Sequence, residues 1–207
     1  NKLQLVHARI AQACDKSHRN PADVRLLAVS KTFGADAVRE AAAQGQRAFG
    51  ENYIQEAVAK MEALTDLGLE WHCIGPVQSN KSRLVAQHFD WVHTVDRLKL
   101  AQRLSEQRAE GIAPLNVCLQ VNIDGGATKS GITPEAALEL ARAVTRLPRL
   151  RLRGLMTIPE PAEGFEAQCA VHTSAKALFD AVRAGLDEGD REDFDTLSMG
   201  MTADLEA

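Results

Sequence analysis

The sequence predicts an α/β protein, a single (β/α)8 TIM barrel preceded by an extra N-terminal helix. Three observations carry this. Short apolar, partly β-branched runs alternate with helical stretches seven times, the pattern of a parallel sheet with helices packed outside it. Polar residues stand at the end of nearly every strand run: Lys31, Glu51 and Asn52, Gln78, Asp96, Asn122 and Ser198. A barrel gathers its active site at the C-terminal ends of its strands. The competing doubly wound sheet, in its dinucleotide-binding form, needs GxGxxG after the first strand, and that motif is absent here.

The elements follow in order. Residues 2–16 place Leu3, Val6, Ile10 and Ala13 at helical spacing. RLLAVSK (25–31) reads as a strand, Phe33-Gly34 as the turn out of it, and the alanine-rich stretch 35–44 as a helix. RAFGEN (47–52) precedes a helix running towards Leu64, and LEWHCIG (69–75) precedes the helix around SRLVAQHF. DWVHTVD (90–96) precedes an amphipathic helix from Arg97 to about Glu110. NVCLQVNI (116–123) leads through a glycine-rich loop to a helix opening at Thr133-Pro134, with Glu135 in its first turn. RLRGLMTIP (151–159) precedes a helix over 166–185, and FDTLSMGM (194–201) leads into TADLEA. Seven strands are countable, so the eighth is expected to be missing from the supplied chain, leaving 1–207 a C-terminally incomplete barrel domain. No linker-like or repeated segment divides it.

Composition bounds the function. The formal charge of −4 disfavours nucleic-acid or anionic-membrane binding driven by bulk charge. No apolar run reaches membrane-spanning length, and the N-terminus lacks a secretory pattern. Cys14, Cys73, Cys118 and Cys169 lie far apart with no CxxC pair, as free thiols of a reducing cytoplasm do. The six histidines form no ligand spacing, so no metal is expected. His72, inside an apolar strand, reads as a satisfied core histidine.

The segment with the most chemistry is LLAVSK (26–31), an apolar run ending in Lys31. A lysine held near low-dielectric surroundings favours its neutral amine, which is the form that attacks an aldehyde. Taken alone, the segment fits better a solubilising lysine that snorkels from a strand end. GPVQSNKS (75–82) is similar to a P-loop, with Asp96 at the end of the following strand as a magnesium-type acid. Asn80 replaces the glycine that lets backbone wrap phosphates, and Pro76 removes an N–H donor, both of which weaken that nucleotide-binding alternative.

AVSK (28–31), FGEN (49–52), WHCIGPVQSNK (71–81), KSGI (129–132), GLMTIP (154–159) and LSMGMTAD (197–204) together resemble the pyridoxal phosphate homeostasis proteins, the YggS family. These look like the N-terminal barrel of alanine racemase standing alone. The departures are Cys73 for an aromatic residue, Val77 for leucine and Thr202 for serine. The resemblance implies that Lys31 holds pyridoxal 5′-phosphate (PLP) as a Schiff base. It implies a phosphate site in LSMGMT, formed by Ser198, Gly200 and Thr202 at the start of a helix whose first turn carries Asp204. Such a turn equally serves as a capped strand-to-helix connection. Asn52 would donate to the ring hydroxyl or cap the next helix. Met156 would pack near the ring or in plain core. Glu51 is a functional carboxylate or a first-turn acid. Gln78, Asn80 and Lys81 form a polar rim or cap a helix. Lys129, Ser130 and Gly131 form a basic loop at that rim or a solvated one.

A racemase of this type needs two acid–base groups, the second being a tyrosine from another domain and subunit. This chain has one tyrosine, Tyr53, expected on an outer helix. The sequence therefore reads as a cytoplasmic, monomeric, non-enzymatic PLP carrier with no catalytic residues, buffering the cofactor and delivering it to PLP-dependent apo-enzymes. A weak racemase or decarboxylase is the enzymatic alternative.

Overall fold

The computed structural model describes residues 2–126, 130–201 and 204–207. Seven strands form one all-parallel, curled sheet in sequence order: β1 (Ala28–Val29), β2 (Ala48–Glu51), β3 (Glu70–Cys73), β4 (Trp91–Val95), β5 (Leu115–Gln120), β6 (Leu150–Met156) and β7 (Thr196–Ser198). All seven expected strands are present, and each neighbour pair is joined through a helical crossover, the barrel-type connection. Among the described residues β1 and β7 are the two sheet edges.

Eight helices surround the sheet among the described residues: α1 (Lys2–Lys16), α2 (Ala35–Ala43), α3 (Ile54–Ala63), α4 (Ser82–His88), α5 (Leu98–Gln107), α6 (Ala137–Thr145), α7 (Phe165–Gly185) and α8 (Glu188–Asp193). The Thr133-Pro134 opening is a 3-10 turn, Pro134–Ala136, that runs into α6. The acidic α8 was not foreseen.

Strands β2 and β4 are buried along their whole length, as expected where helices cover one face and barrel interior the other. The main core lies between sheet and helices, with Phe49, Phe89 and Phe194 at 0–1% exposure. Burying each such ring stabilises by roughly 1.5–3 kcal/mol. Trp91, Cys118 and Met156 form a separate small cluster on the opposite face of the sheet. Gly154 lets β6 and β7 approach, since a Cβ there would sit 1.6 Å from the Thr196 carbonyl oxygen.

The base of the sheet is tied by Asp90. Its carboxylate accepts the Trp71 N–H at 2.8 Å, and its carbonyl accepts the Asn116 N–H at 3.1 Å. Arg108 closes α4 from below, donating to Ala86 and Phe89 carbonyls at 2.8 and 2.7 Å.

Candidate functional site

The polar strand ends converge on one end of the sheet, because parallel strands in register place all their C-termini on the same side. Five buried side-chain atoms among the described residues lack a hydrogen-bond partner: Glu51 Oε2, Asn52 Oδ1, Asn122 Oδ1, Thr157 Oγ1 and His172 Nδ1. The first four lie at the C-terminal ends of β2, β5 and β6. Buried polar atoms are almost always paired. Their accumulation at one end of the sheet marks a surface built to meet a polar ligand.

Lys31 lies in the turn after β1 and is exposed. The expected strand run is regular only over Ala28–Val29, and among the described residues β1 pairs with β2 alone. What is buried is the residue before it. The Ser30 hydroxyl donates to Glu51 Oε1 at 2.6 Å, and the Ser30 carbonyl accepts from Lys60 Nζ at 2.8 Å. Lys60 Nζ is also 2.6 Å from Glu51 Oε1, with the two side chains 8% and 0% exposed. Glu51 is thus the last residue of β2 in a buried ion pair, not a first-turn acid of α3. Lys60 was missed by sequence reasoning, although it signals itself as a cation one turn after Ala57 on the inward stripe of α3.

Asn52 does not cap α3; Tyr53 occupies that position, without a side-chain cap. Asn52 instead lines two adjoining clefts. One, of about 250 Å³, has Tyr53, Pro76, Gln78 and Lys81 in its wall. The other, of about 220 Å³, has Thr94, Gln120, Ser130 and Ile158. Lys31, Met156 and Ser198 line neither. Gly75 must be glycine for the Asn52 backbone to lie where it does, since a Cβ would come within 2.4 Å of the Asn52 carbonyl oxygen.

Met156 is buried against Trp91 and Cys118 and sits beside Ser198 in the β6–β7 register. Ser198 holds the end of a chain that the sequence did not reveal. Its Oγ is 2.7 Å from His93 Nδ1, His93 Nε2 is 2.8 Å from His72 Nδ1, and His72 Nε2 is 2.6 Å from Glu70 Oε1. Arg25 closes the far end at 3.0 Å from Glu70. The bond from His72 holds the Glu70 carboxyl down to about 2, while burial pushes His93 down to about 3 and lowers His72.

Gly200 has a φ of 91°, a conformation that glycine adopts freely, and a Cβ there would meet Asp204 Oδ1 at 3.9 Å. Thr202 and Lys129 lie outside the described residues. The helix expected at Thr202 is not formed by the described residues beyond it: Asp204–Glu206 make a turn, closed by the Ala207 N–H on the Asp204 carbonyl at 3.0 Å. The Asp204 carboxylate accepts the Met201 N–H, within the segment expected to hold a phosphate, and lies 3.3 Å from His172.

The P-loop alternative loses its magnesium ligands. The Ser82 hydroxyl donates within the protein, next to Ser79 O and Gln107 Oε1, and Asp96 is paired with Arg97. Among the described residues no cluster of His, Cys, Asp or Glu could hold a metal ion, and no helix is long and apolar enough to cross a membrane.

Comparison with known proteins agrees with the fold. The alanine racemase N-terminal domain model matches residues 3–207. The pyridoxal phosphate homeostasis protein of Pseudomonas aeruginosa is 58% identical over 99% of this chain and 86% of its own length. That of Escherichia coli K12 is 49% identical over 100% and 88%. The structure of PipY from Synechococcus elongatus, solved with PLP bound, superposes with a TM-score of 0.79 at 37% identity, over 96% of this chain and 90% of that one. An alanine racemase of Clostridium difficile shares the fold at a TM-score of 0.67 and 17% identity, over 94% of this chain and 49% of its own. On these matches, which span nearly the whole sequence, the chain belongs to the pyridoxal phosphate homeostasis proteins of the alanine racemase N-terminal-domain family.

Proposed function

We propose that this chain binds PLP at the C-terminal ends of its strands and serves PLP homeostasis as a carrier and buffer without robust catalysis. One observation supports the site above all: four buried, partnerless polar atoms lie at that end of the sheet, from Glu51, Asn52, Asn122 and Thr157. A polar cofactor would satisfy them. When bound, PLP supplies an aldehyde to an amine and a phosphate to hydrogen-bond donors.

Lys31 supplies that amine. Its exposure leaves it free to meet the aldehyde, while the Ser30–Glu51–Lys60 cluster fixes the backbone from which it projects. Ser198, Gly200 and Thr202 receive the phosphate, Gly200 through its permissive backbone. Asn52 serves the ring hydroxyl, and Met156, beside Ser198 in the β6–β7 register, packs near the ring.

The carrier reading rests on the protein's acid–base inventory. Tyr53, the sole tyrosine, is 55% exposed at the start of the outer helix α3. Tyr53 stands in the wall of the larger cleft, but a phenol open to solvent is poorly held to move a proton on one face of a substrate. The protein acts as a monomer in the cytoplasm, where a reducing environment suits its free thiols, and PLP-dependent apo-enzymes receive the cofactor.

The test is transfer. PLP-loaded protein mixed with an apo PLP-dependent enzyme should restore that enzyme's activity, and chiral chromatography should show no racemisation of amino acids by the loaded protein alone. Racemisation at about 1 s⁻¹ or faster, ordinary enzyme turnover, would overturn the carrier reading.

A further inference from the structure

We infer that the Glu70–His72–His93 chain positions the Ser198 hydroxyl, and that it must take up one proton before that hydroxyl can donate to a phosphate. This rests on the reading of Ser198 as a phosphate ligand.

The argument is a count of protons. Three contacts run from Glu70 to Ser198, at 2.6, 2.8 and 2.7 Å, and each needs one hydrogen between its two heavy atoms. Glu70 is a carboxylate, its carboxyl held down to about 2, so it accepts and the first hydrogen resides on His72 Nε2. With both imidazoles neutral, His72 Nδ1 is then an acceptor and His93 Nε2 carries the second hydrogen. His93 Nδ1 is left bare, and the third hydrogen is the hydroxyl proton of Ser198. In this state the Ser198 oxygen presents only lone pairs outward, which repel a phosphate dianion.

Turning the hydroxyl outward requires a fourth hydrogen. Ser198 O–H then donates to the phosphate, His93 Nδ1–H donates to Ser198 Oγ, and His72 Nδ1–H donates to His93 Nε2. The hydrogen formerly on His93 Nε2 has moved to His72 Nδ1, and His93 Nδ1 has gained one from solvent. The added charge rests on His72 beside the Glu70 carboxylate.

The surroundings permit this while leaving the resting chain neutral. His72 and His93 are 5% and 4% exposed, and burial disfavours their charged forms. The charged groups around them are Glu70 and Arg25 at the base, Asp90 at the start of β4 with Arg108 nearby, and Arg153. The Arg153 guanidinium lies 4.9 Å over the Trp91 ring, which stacks on His72, and is paired with Asp195. Burial pushes the Cys118 thiol up to about 12, so it stays neutral. A dianion arriving at Ser198 shifts the balance towards the protonated chain.

Calorimetry tests this with pyridoxine 5′-phosphate, the alcohol analogue that cannot bond to Lys31. Its phosphate is essentially a dianion at pH 7.5. Titration in buffers of differing ionisation enthalpy should give uptake of about one proton per ligand. Ser198→Ala should weaken binding. Glu70→Gln is the diagnostic variant: its amide can donate to His72 Nε2, so the chain can run outward with no added proton. It should keep affinity within a few fold of wild type while uptake falls to near zero. A purely structural role for Glu70 would not change the proton count. Imidazole ¹⁵N shifts in the ligand-free protein should show both histidines protonated on Nε2 alone. Wild-type uptake near zero with binding still dependent on Ser198 would overturn the inference and leave the phosphate site standing. Binding indifferent to Ser198, or absent, would overturn both, and His93 carrying its hydrogen on Nδ1 in the ligand-free protein would overturn the chain direction.

Discussion

Replacing Lys60 with methionine should destabilise the protein by about 3–5 kcal/mol, the usual cost of leaving one partner of a buried pair uncompensated. Lys60 Nζ lies 2.6 Å from Glu51 Oε1, and the side chains are 8% and 0% exposed. At an effective dielectric of about 20 their attraction is roughly 6 kcal/mol, much of it offset by the desolvation of the ammonium that the variant no longer requires. Glu51 would keep only the Ser30 hydroxyl on Oε1, with Oε2 already partnerless. For a domain of this size the loss corresponds to a fall in Tm of roughly 6–20 °C. Urea denaturation followed by circular dichroism measures it as a lower midpoint at unchanged slope. Adding Glu51→Gln should recover part of the loss, because both charges are then gone. The variant also removes a donor from the Ser30 carbonyl, which accepts the Phe33 N–H at 3.0 Å, so hydrogen exchange at Phe33 should quicken in the turn that carries Lys31. A loss under about 1 kcal/mol, or a double variant no more stable than the single one, would refute the reasoning.

Acid should destabilise the fold. His93, pushed down to about 3 in the fold from its ordinary 6.5, stays neutral there while the unfolded chain takes up a proton. Its contribution is therefore complete above about pH 6.5 and lost at roughly 1.4 kcal/mol per pH unit as pH falls towards 3. Glu70, held down to about 2, adds a loss of the same sign below about pH 4.5. Urea melts between pH 7.5 and 5 should show this slope, and equal midpoints across that range would contradict it. Gly154→Ala should prevent β6–β7 pairing, its Cβ falling 1.6 Å from the Thr196 oxygen, and should appear as lost cooperativity in a thermal melt. Gly75→Ala should push the Asn52 backbone away and weaken PLP binding by roughly tenfold or more, about 1.4 kcal/mol, as read by spectral titration.

Much of the architecture was legible because it is written in local pattern. Runs such as 91–95 and 115–120 are largely buried, rich in Val, Leu and aromatic residues and bounded by turn residues, so their number and order could be counted. The acidic segment Glu188–Asp193 has no apolar stripe and gave no helical signal. The apolar run LLAVSK predicts a lysine near buried surroundings, but burial depends on neighbours, and among the described residues β1 is two residues long and pairs with β2 alone. The site's polar interior was legible only in part. Lys60 and Glu51 are nine residues apart and meet only once α3 packs on β2. His93 and Ser198 are 105 residues apart, and no sequence period announces that parallel strands will bring them together. His72 was read correctly as a hydrogen-bonded interior residue, yet its partners could not be named before β3, β4 and β7 were placed.

The central claim is that Lys31 is the residue to which PLP attaches. Full-length protein incubated with PLP, reduced with borohydride and digested should yield one phosphopyridoxyl group, on the peptide containing Lys31, and Lys31→Ala should lose the label while melting like the wild type. A label carried instead by Lys60 or Lys81, or undiminished labelling of the Lys31→Ala variant, would contradict the account.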